Sequence, residues 1–409
     1  MNELPSAVAL EGARIVGPEG IKEESIRLAK GRVVEGTAAA HENDLVINLE
    51  GQLVFPGLLN AHDHLGLNAF PRPDSGGPYA SAYAWIEALQ PVLSSPPFQA
   101  VRRIDEAIRT RHGALKNLLS GVTTVAHHDP WLPVMGDETF PVRVVVPYGW
   151  CHSMRLAGTY GPTIRESFAG TPPGARWFLH LAEGTDAEAE GELGRLDAIG
   201  ILEALETLGP ATVLIHGVGL SAAGVARVLA AGAGVVWCPA SNLRVLGATL
   251  DPRSLLAAGR LALGTDSRLS GASDLLEELR VARDASGLPA ADLLRLVTEQ
   301  AAAVLGVPSA GHLGPGAVAD LVVVRDIDGD PREALIGLPR SSLRAVVLGG
   351  VPRVADPDLL PWLEAAGVPA RHVLLDGVPK VVDDRLFTDE ASALEPGLSL
   401  GTGPVACPS

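Results

Sequence analysis

The chain has 409 residues, 47% of them hydrophobic and 20% charged, ample for a large core or two domains. Its net charge of −16 argues against nucleic acid or an anionic membrane surface as partner. No apolar run reaches the roughly 18 residues of a membrane span, Met1–Pro5 is acidic and lacks a signal-peptide core, and Cys151, Cys238 and Cys407 make no disulfide framework; a soluble cytoplasmic enzyme is the expectation.

In chain order, residues 6–54 alternate apolar and polar positions between glycine turns, as in Ala7–Gly17 and Ser25–Val34, and predict antiparallel hairpins. Apolar runs at 54–64, 121–127, 142–150, 176–182, 212–218, 234–240 and 261–267, separated by helical periodicity, predict seven buried parallel strands between about Val54 and Leu305. The first two are separated by a long excursion from Leu67 to Pro97, carrying Tyr79, Tyr83 and Trp85. It reads equally as a lid or substrate wall and as an ordinary packed excursion. Only 25 residues lie between Trp150 and Arg176, fewer than the roughly 30 of a βαβ unit. Either a fourth strand is reduced to a stub near Ala157–Tyr160, or the fold is distorted there. Gly314–Val324 and Leu343–Gly350 then return to hairpin alternation.

The polar residues that close these runs carry the chemistry. His62 and His64 end the first run, and residues two apart on a strand share a face, so both imidazoles aim at one point. His180 stands in Trp177–Glu183, His216 ends Thr212–His216, Asn242 follows Val235–Ser241, and Asp266 closes Leu261–Asp266. Such residues at separate C-terminal strand ends fit the active-site face of an α/β (β/α)8 TIM-like barrel.

The pattern resembles the amidohydrolase superfamily, in particular the aminohydrolase branch with the cytosine, guanine and S-adenosylhomocysteine deaminases and the triazine hydrolases. The matching elements are His-Asp-His after Pro-Gly, His-x-x-Glu at His180–Glu183, the isolated His216, Cys238-Pro-Ala-Ser-Asn242 and Gly264-Thr-Asp-Ser267. The resemblance implies a barrel over residues 55–310 and a composite β-sandwich from 1–54 and 311–409. It assigns His62, His64, His180 and Asp266 to one divalent metal, zinc or iron(II), which also suits their donor chemistry. It makes Glu183 the proton shuttle, places His216 against the attacking water with Asp266 beside it in the catalytic set, and implies a homodimer. Binuclear relatives bridge their metals with a carboxylated lysine; Lys22, Lys30, Lys116 and Lys380 are the four lysines here, and none stands at a predicted barrel strand end.

The expected substrate is a small nitrogen heterocycle of purine, pyrimidine, pterin or triazine type, deaminated with release of ammonia. Trp131, His128, Trp150, His152 and Asn242 are candidate substrate contacts, with strand-end capping as the alternative role. Cyclic amide or amidine hydrolysis and hydrolytic dehalogenation are rival reactions at the same site, and a catalytically silent metal-binding homologue is the rival of another class. The unrelated zinc deaminases carry His-x-Glu and Pro-Cys-x-x-Cys, and neither motif occurs here.

Overall fold

A computed structural model describes residues 7–18, 20–34, 44–74 and 76–401. Met1–Pro5 and Cys407 lie outside the described residues. Two parallel sheets hold the predicted central strands. The first joins β1 (Leu58–Asp63), β2 (Val122–His127) and β3 (Arg143–Val144). The second joins, in sequence order, β4 (Tyr148–Ser153), β5 (Arg176–Leu181), β6 (Thr212–His216), β7 (Gly234–Trp237) and β8 (Leu261–Leu263). Strands β1, β2, β6, β7 and β8 are buried at every position, which is why they read as unbroken apolar runs. An isolated parallel bridge between Asp63 and Asp266 links the ends of β1 and β8.

The count of strands corrects the expectation of seven. The run at 142–150 divides at Pro147 into β3, which pairs with β2, and β4, which pairs with β5. Proline has no N–H to donate to a ladder, so a strand breaks there. No strand forms at Ala157–Tyr160, where the chain is in turns. The short connection from β4 to β5 is accommodated by a helix of only seven residues, Ile164–Gly170, closed at its start by a Thr163–Glu166 capping box.

The chain ends meet in a nine-stranded sheet. Arg14–Gly17, Gly20–Glu23 and Gln52–Pro56 lie beside six strands between Leu321 and Leu400, with Gln52–Pro56 antiparallel to Leu321–Arg325. Val8–Glu11, Ile26–Ala29, Arg32–Val33 and Leu45–Asn48 form a separate four-stranded sheet. Leu10 and Leu28 of the smaller sheet and Val54, Leu321 and Val323 of the larger share one buried core with Trp362. The chain steps from Gln52–Pro56 into β1 at Gly57. A Cβ there would lie 2.4 Å from Thr123 Oγ1, so only glycine fits without a shift. Among the described residues no helix is long and apolar enough to cross a membrane.

Candidate metal centre and active site

The pairing of β1 with β2 slips between Asn60 and Asp63. A bulge of this kind re-aims side chains, and it brings the His62 and His64 rings edge to face at 4.9 Å. His180, near the end of β5, places its Nε2 at 3.3 Å from His62 Nε2 and 3.2 Å from His64 Nε2. Asp266, beyond β8, holds Oδ1 at 3.8 Å from His62 Nε2 and 3.7 Å from His64 Nε2. All four residues are buried.

Neighbours fix which atoms face inward. The His152 carbonyl lies 2.6 Å from His180 Nδ1 and can only accept, so this nitrogen carries the proton and Nε2 turns its lone pair to the cluster. Asp129 Oδ2 lies 2.8 Å from His64 Nδ1 and orients that ring in the same way. Burial alone would lower the His64 pKa, but Asp129 and then Asp266 raise it to about 9. Ser241 and Ser270 donate to Asp266 Oδ2 at 2.7 and 2.6 Å, which leaves Oδ1 for the cluster. Three imidazole nitrogens and one carboxylate oxygen, crowded together and aimed at one point, suit a single divalent metal.

Three site positions adopt left-handed backbone: Ala182 at φ +55°, His216 at +73° and Asp266 at +55°. Such residues cost on the order of 1–3 kcal/mol each and persist where surrounding contacts over-determine them. The Asp266 amide donates to the His62 carbonyl, and the Ala182 carbonyl accepts from Gly219. The turn at Ala182 carries the chain from His180 to Glu183, whose Oε1 lies 3.4 Å from His216 Nε2. Asn242 Oδ1 accepts from His216 Nδ1 at 2.8 Å, so Nε2 is left without a proton and faces Glu183. Burial, then the Asp266 and Glu192 carboxylates, push the Glu183 carboxyl well above the usual carboxylate range.

His64, His180, Glu183, His216 and Asp266 all open onto one cavity of about 390 Å³. Its outer wall is apolar and comes largely from the excursion after β1. Trp85, Ile86, Leu89 and Leu93 on the helix Ala82–Leu93, with Phe70 and Phe98, line it. The excursion is thus a wall of the cavity.

Residues 175–352 match the model of the Amidohydrolase family. Over that stretch the chain is similar to the amidohydrolases. It is a hydrolytic enzyme, and its relatives agree. An 8-oxoguanine deaminase from Pseudomonas aeruginosa is 25% identical, the alignment covering 84% of this chain and 92% of the relative. A zinc-complexed atrazine chlorohydrolase from Arthrobacter aurescens superposes with a TM-score of 0.69 at 21% identity, over 85% of this chain and 95% of that one. An adenosine deaminase from Xanthomonas campestris with bound zinc gives 0.64 at 20% identity, over 88% and 97%.

The structure gives the five expected substrate contacts different surroundings. His152 lines the cavity, and burial followed by the nearby His64 lowers its pKa to about 4. Trp131, His128, Trp150 and Asn242 are not among the residues lining it. Trp131 is 43% exposed on the loop after β2. Trp150 sits edge-on between His128 and Tyr160. Asn242 is buried and orients His216. His128 stacks on His180 at 4.3 Å and makes a second close-set trio with His62 and His180, so it belongs to the histidine cluster.

Several functional neighbours escaped sequence reasoning. Asp129 follows β2 in sequence, and nothing local marks it as the partner of His64. Beneath the cluster, the buried Lys116 Nζ donates to Asp63 Oδ2, Asn68 Oδ1 and Thr265 Oγ1 at 2.9, 3.0 and 3.1 Å. The signal was present: Lys116 lies on the helix Glu106–Leu119 among Leu115, Leu118 and Leu119, a buried face on which a lysine requires a partner. Lys380 is held by Asp356 and the Leu343 carbonyl in the nine-stranded sheet, away from the histidines.

Proposed function

We propose that the protein is a mononuclear metal-dependent hydrolase that deaminates an amino-substituted nitrogen heterocycle. Zinc or iron is the metal, held by His62, His64, His180 and Asp266. The observation that carries the reading is the pairing of Glu183 with His216 in the cavity that His64, His180 and Asp266 also line. A divalent metal in such a site acidifies water and polarises the bond under attack.

The remaining work falls to the chain. Glu183 takes a proton from water as the oxygen adds to the amino-bearing ring carbon, and delivers it to the exocyclic nitrogen, which leaves as ammonia. Burial and the neighbouring carboxylates raise its pKa, the direction that favours holding a proton. His216, oriented by Asn242 with its unprotonated Nε2 turned inward, is placed to accept a hydrogen bond from the attacking water and hold it in line. Asp266, held by Ser241 and Ser270, keeps its free oxygen directed at the cluster. His152 and Tyr160 flank the ring site, and the Trp85–Leu93 wall excludes water and favours a ring carrying an apolar substituent.

The two parallel sheets are read as one closed (β/α)8 barrel, supported by the Asp63–Asp266 bridge. The sheets of the chain ends are read as the flanking sandwich, supported by their common core. The functional test is a screen of metal-loaded protein against aminopurines, aminopyrimidines, pterins and aminotriazines for ammonia release. A ring-opened product without ammonia would move the reaction to cyclic amides, and halide release would move it to dehalogenation.

A further inference from the structure

Glu192 is a buried carboxylate that the proposed chemistry does not use. It lies in the helix Ala187–Glu203 and is 2% exposed. Its Oε2 accepts from the amide of Ala182 at 2.6 Å, the residue whose left-handed step turns the chain toward Glu183. Its Oε1 accepts from the Tyr83 hydroxyl at 2.5 Å. Tyr83 belongs to the cavity-wall helix, and its oxygen in turn accepts from the Arg155 amide at 3.2 Å. The same two segments are joined through the backbone. The Ala82 amide donates to the Glu183 carbonyl at 2.9 Å, and the Thr185 amide donates to the Ala80 carbonyl at 2.7 Å. A Cβ on Gly184 would lie 2.8 Å from both the Ala80 carbonyl oxygen and Ser81 Cβ, so the segments approach as closely as glycine allows.

We propose that Glu192 and Tyr83 are positioning residues for Glu183, which make the orientation of the proton carrier depend on the docked wall helix. The inference rests on Glu183 being that carrier. A buried carboxylate that receives one backbone amide fixes the peptide plane at Ala182, and with it the exit direction of the next residue. The partner on its other oxygen comes from the element that covers the substrate. Docking of the wall and alignment of Glu183 are therefore one event, and cutting the tether is felt in the chemical step.

The test compares Tyr83→Phe, Glu192→Ala, their combination and Glu192→Gln, each loaded with zinc. Ammonia release is measured from 8-oxoguanine, adenine and an aminotriazine, and amide hydrogen exchange is followed over residues 181–186. Glu192→Ala should lose about 10–100-fold in kcat with KM changed by less than about threefold and metal content intact. Tyr83→Phe should lose a smaller factor, and the combination should be no worse than Glu192→Ala, because one hydrogen-bonded chain is being cut twice. Glu192→Gln keeps a carbonyl for the Ala182 amide and should recover most of the loss. Exchange over 181–186 should rise in Glu192→Ala and Tyr83→Phe. Unchanged kcat in both, a loss expressed only in KM, or a Glu192→Gln variant no better than Glu192→Ala would overturn the assignment. Should the wild type release no ammonia, the deamination reading fails in that panel, and the exchange measurement decides the tether by itself: protection unchanged in both disrupting variants refutes it.

Discussion

Lys116 and Asp63 form a fully buried ion pair at 2.9 Å, with Asp63 standing between the two histidines that open the candidate metal centre. Asn60, Asn117 and Thr265 lie within hydrogen-bonding distance of the same Asp63 oxygen, and Asn68 donates to the other. Removing the cation leaves an uncompensated carboxylate in the interior. Lys116→Met should therefore lose about 3–5 kcal/mol of stability, read from the urea midpoint. Asp63→Asn combined with Lys116→Met should recover part of that loss. A single variant as stable as wild type would show that the pair does not hold β1 in place.

Asp266 keeps one oxygen on two serines and the other toward His62 and His64. Asp266→Ala should remain folded, because the packed strands do not depend on this carboxylate, and should lose bound metal. Elemental analysis should give close to one equivalent in wild type. Ser270→Ala should keep the ligand set and weaken metal retention by about 10–100-fold. Two tightly held equivalents in wild type would contradict a mononuclear centre.

Glu278 supplies a pH dependence. It is fully buried on the helix Leu275–Ser286, where Oε1 accepts from the Ala240 amide and Oε2 has no hydrogen-bond partner among the described residues. Burial, against the help of that amide, pushes its pKa up to about 8, whereas the unfolded chain has a value of about 4.3. Between those values the folded state holds a proton that the unfolded state has released. Stability is therefore full below about pH 4.3 and is lost as pH rises toward 8. Glu278→Gln should flatten that decline and raise Tm most at pH 8. Parallel Tm–pH curves for the two proteins would remove Glu278 as the cause.

Trp85 contributes apolar wall and no proton chemistry. Trp85→Ala should raise KM about tenfold for a ring with an apolar substituent, with kcat nearly unchanged. The effect should shrink for the unsubstituted ring. Equal effects on both rings would mean that Trp85 does not meet the substituent.

What was legible in the sequence is what local pattern encodes. His62, His64, His180, His216 and Asp266 each close an apolar run, so strand periodicity alone carries them to one end of the parallel sheets. Pro147 marked the break between β3 and β4 just as plainly, but the surrounding valines hid it inside a single run. The supporting groups were not legible because their partners are remote. Lys116 meets Asp63 across 53 residues, Tyr83 meets Glu192 across 109, and Ser241 meets Asp266 across 25. Trp131 and Trp150 illustrate the converse, since an aromatic near a strand end shows nothing of the direction its ring takes. The wall of Trp85, Leu89 and Leu93 depends on how a long excursion folds back over the site, which helical spacing alone does not specify.

The central claim is proton transfer by Glu183 in a metal-dependent deamination, and Glu183→Gln tests it most directly. The isostere removes the titrating group and little else. With wild type and variant matched for metal content and Tm, ammonia release from the best amino-heterocycle should fall by about 10²–10⁴-fold in kcat. Turnover within a few-fold of wild type at equal metal content would contradict the account.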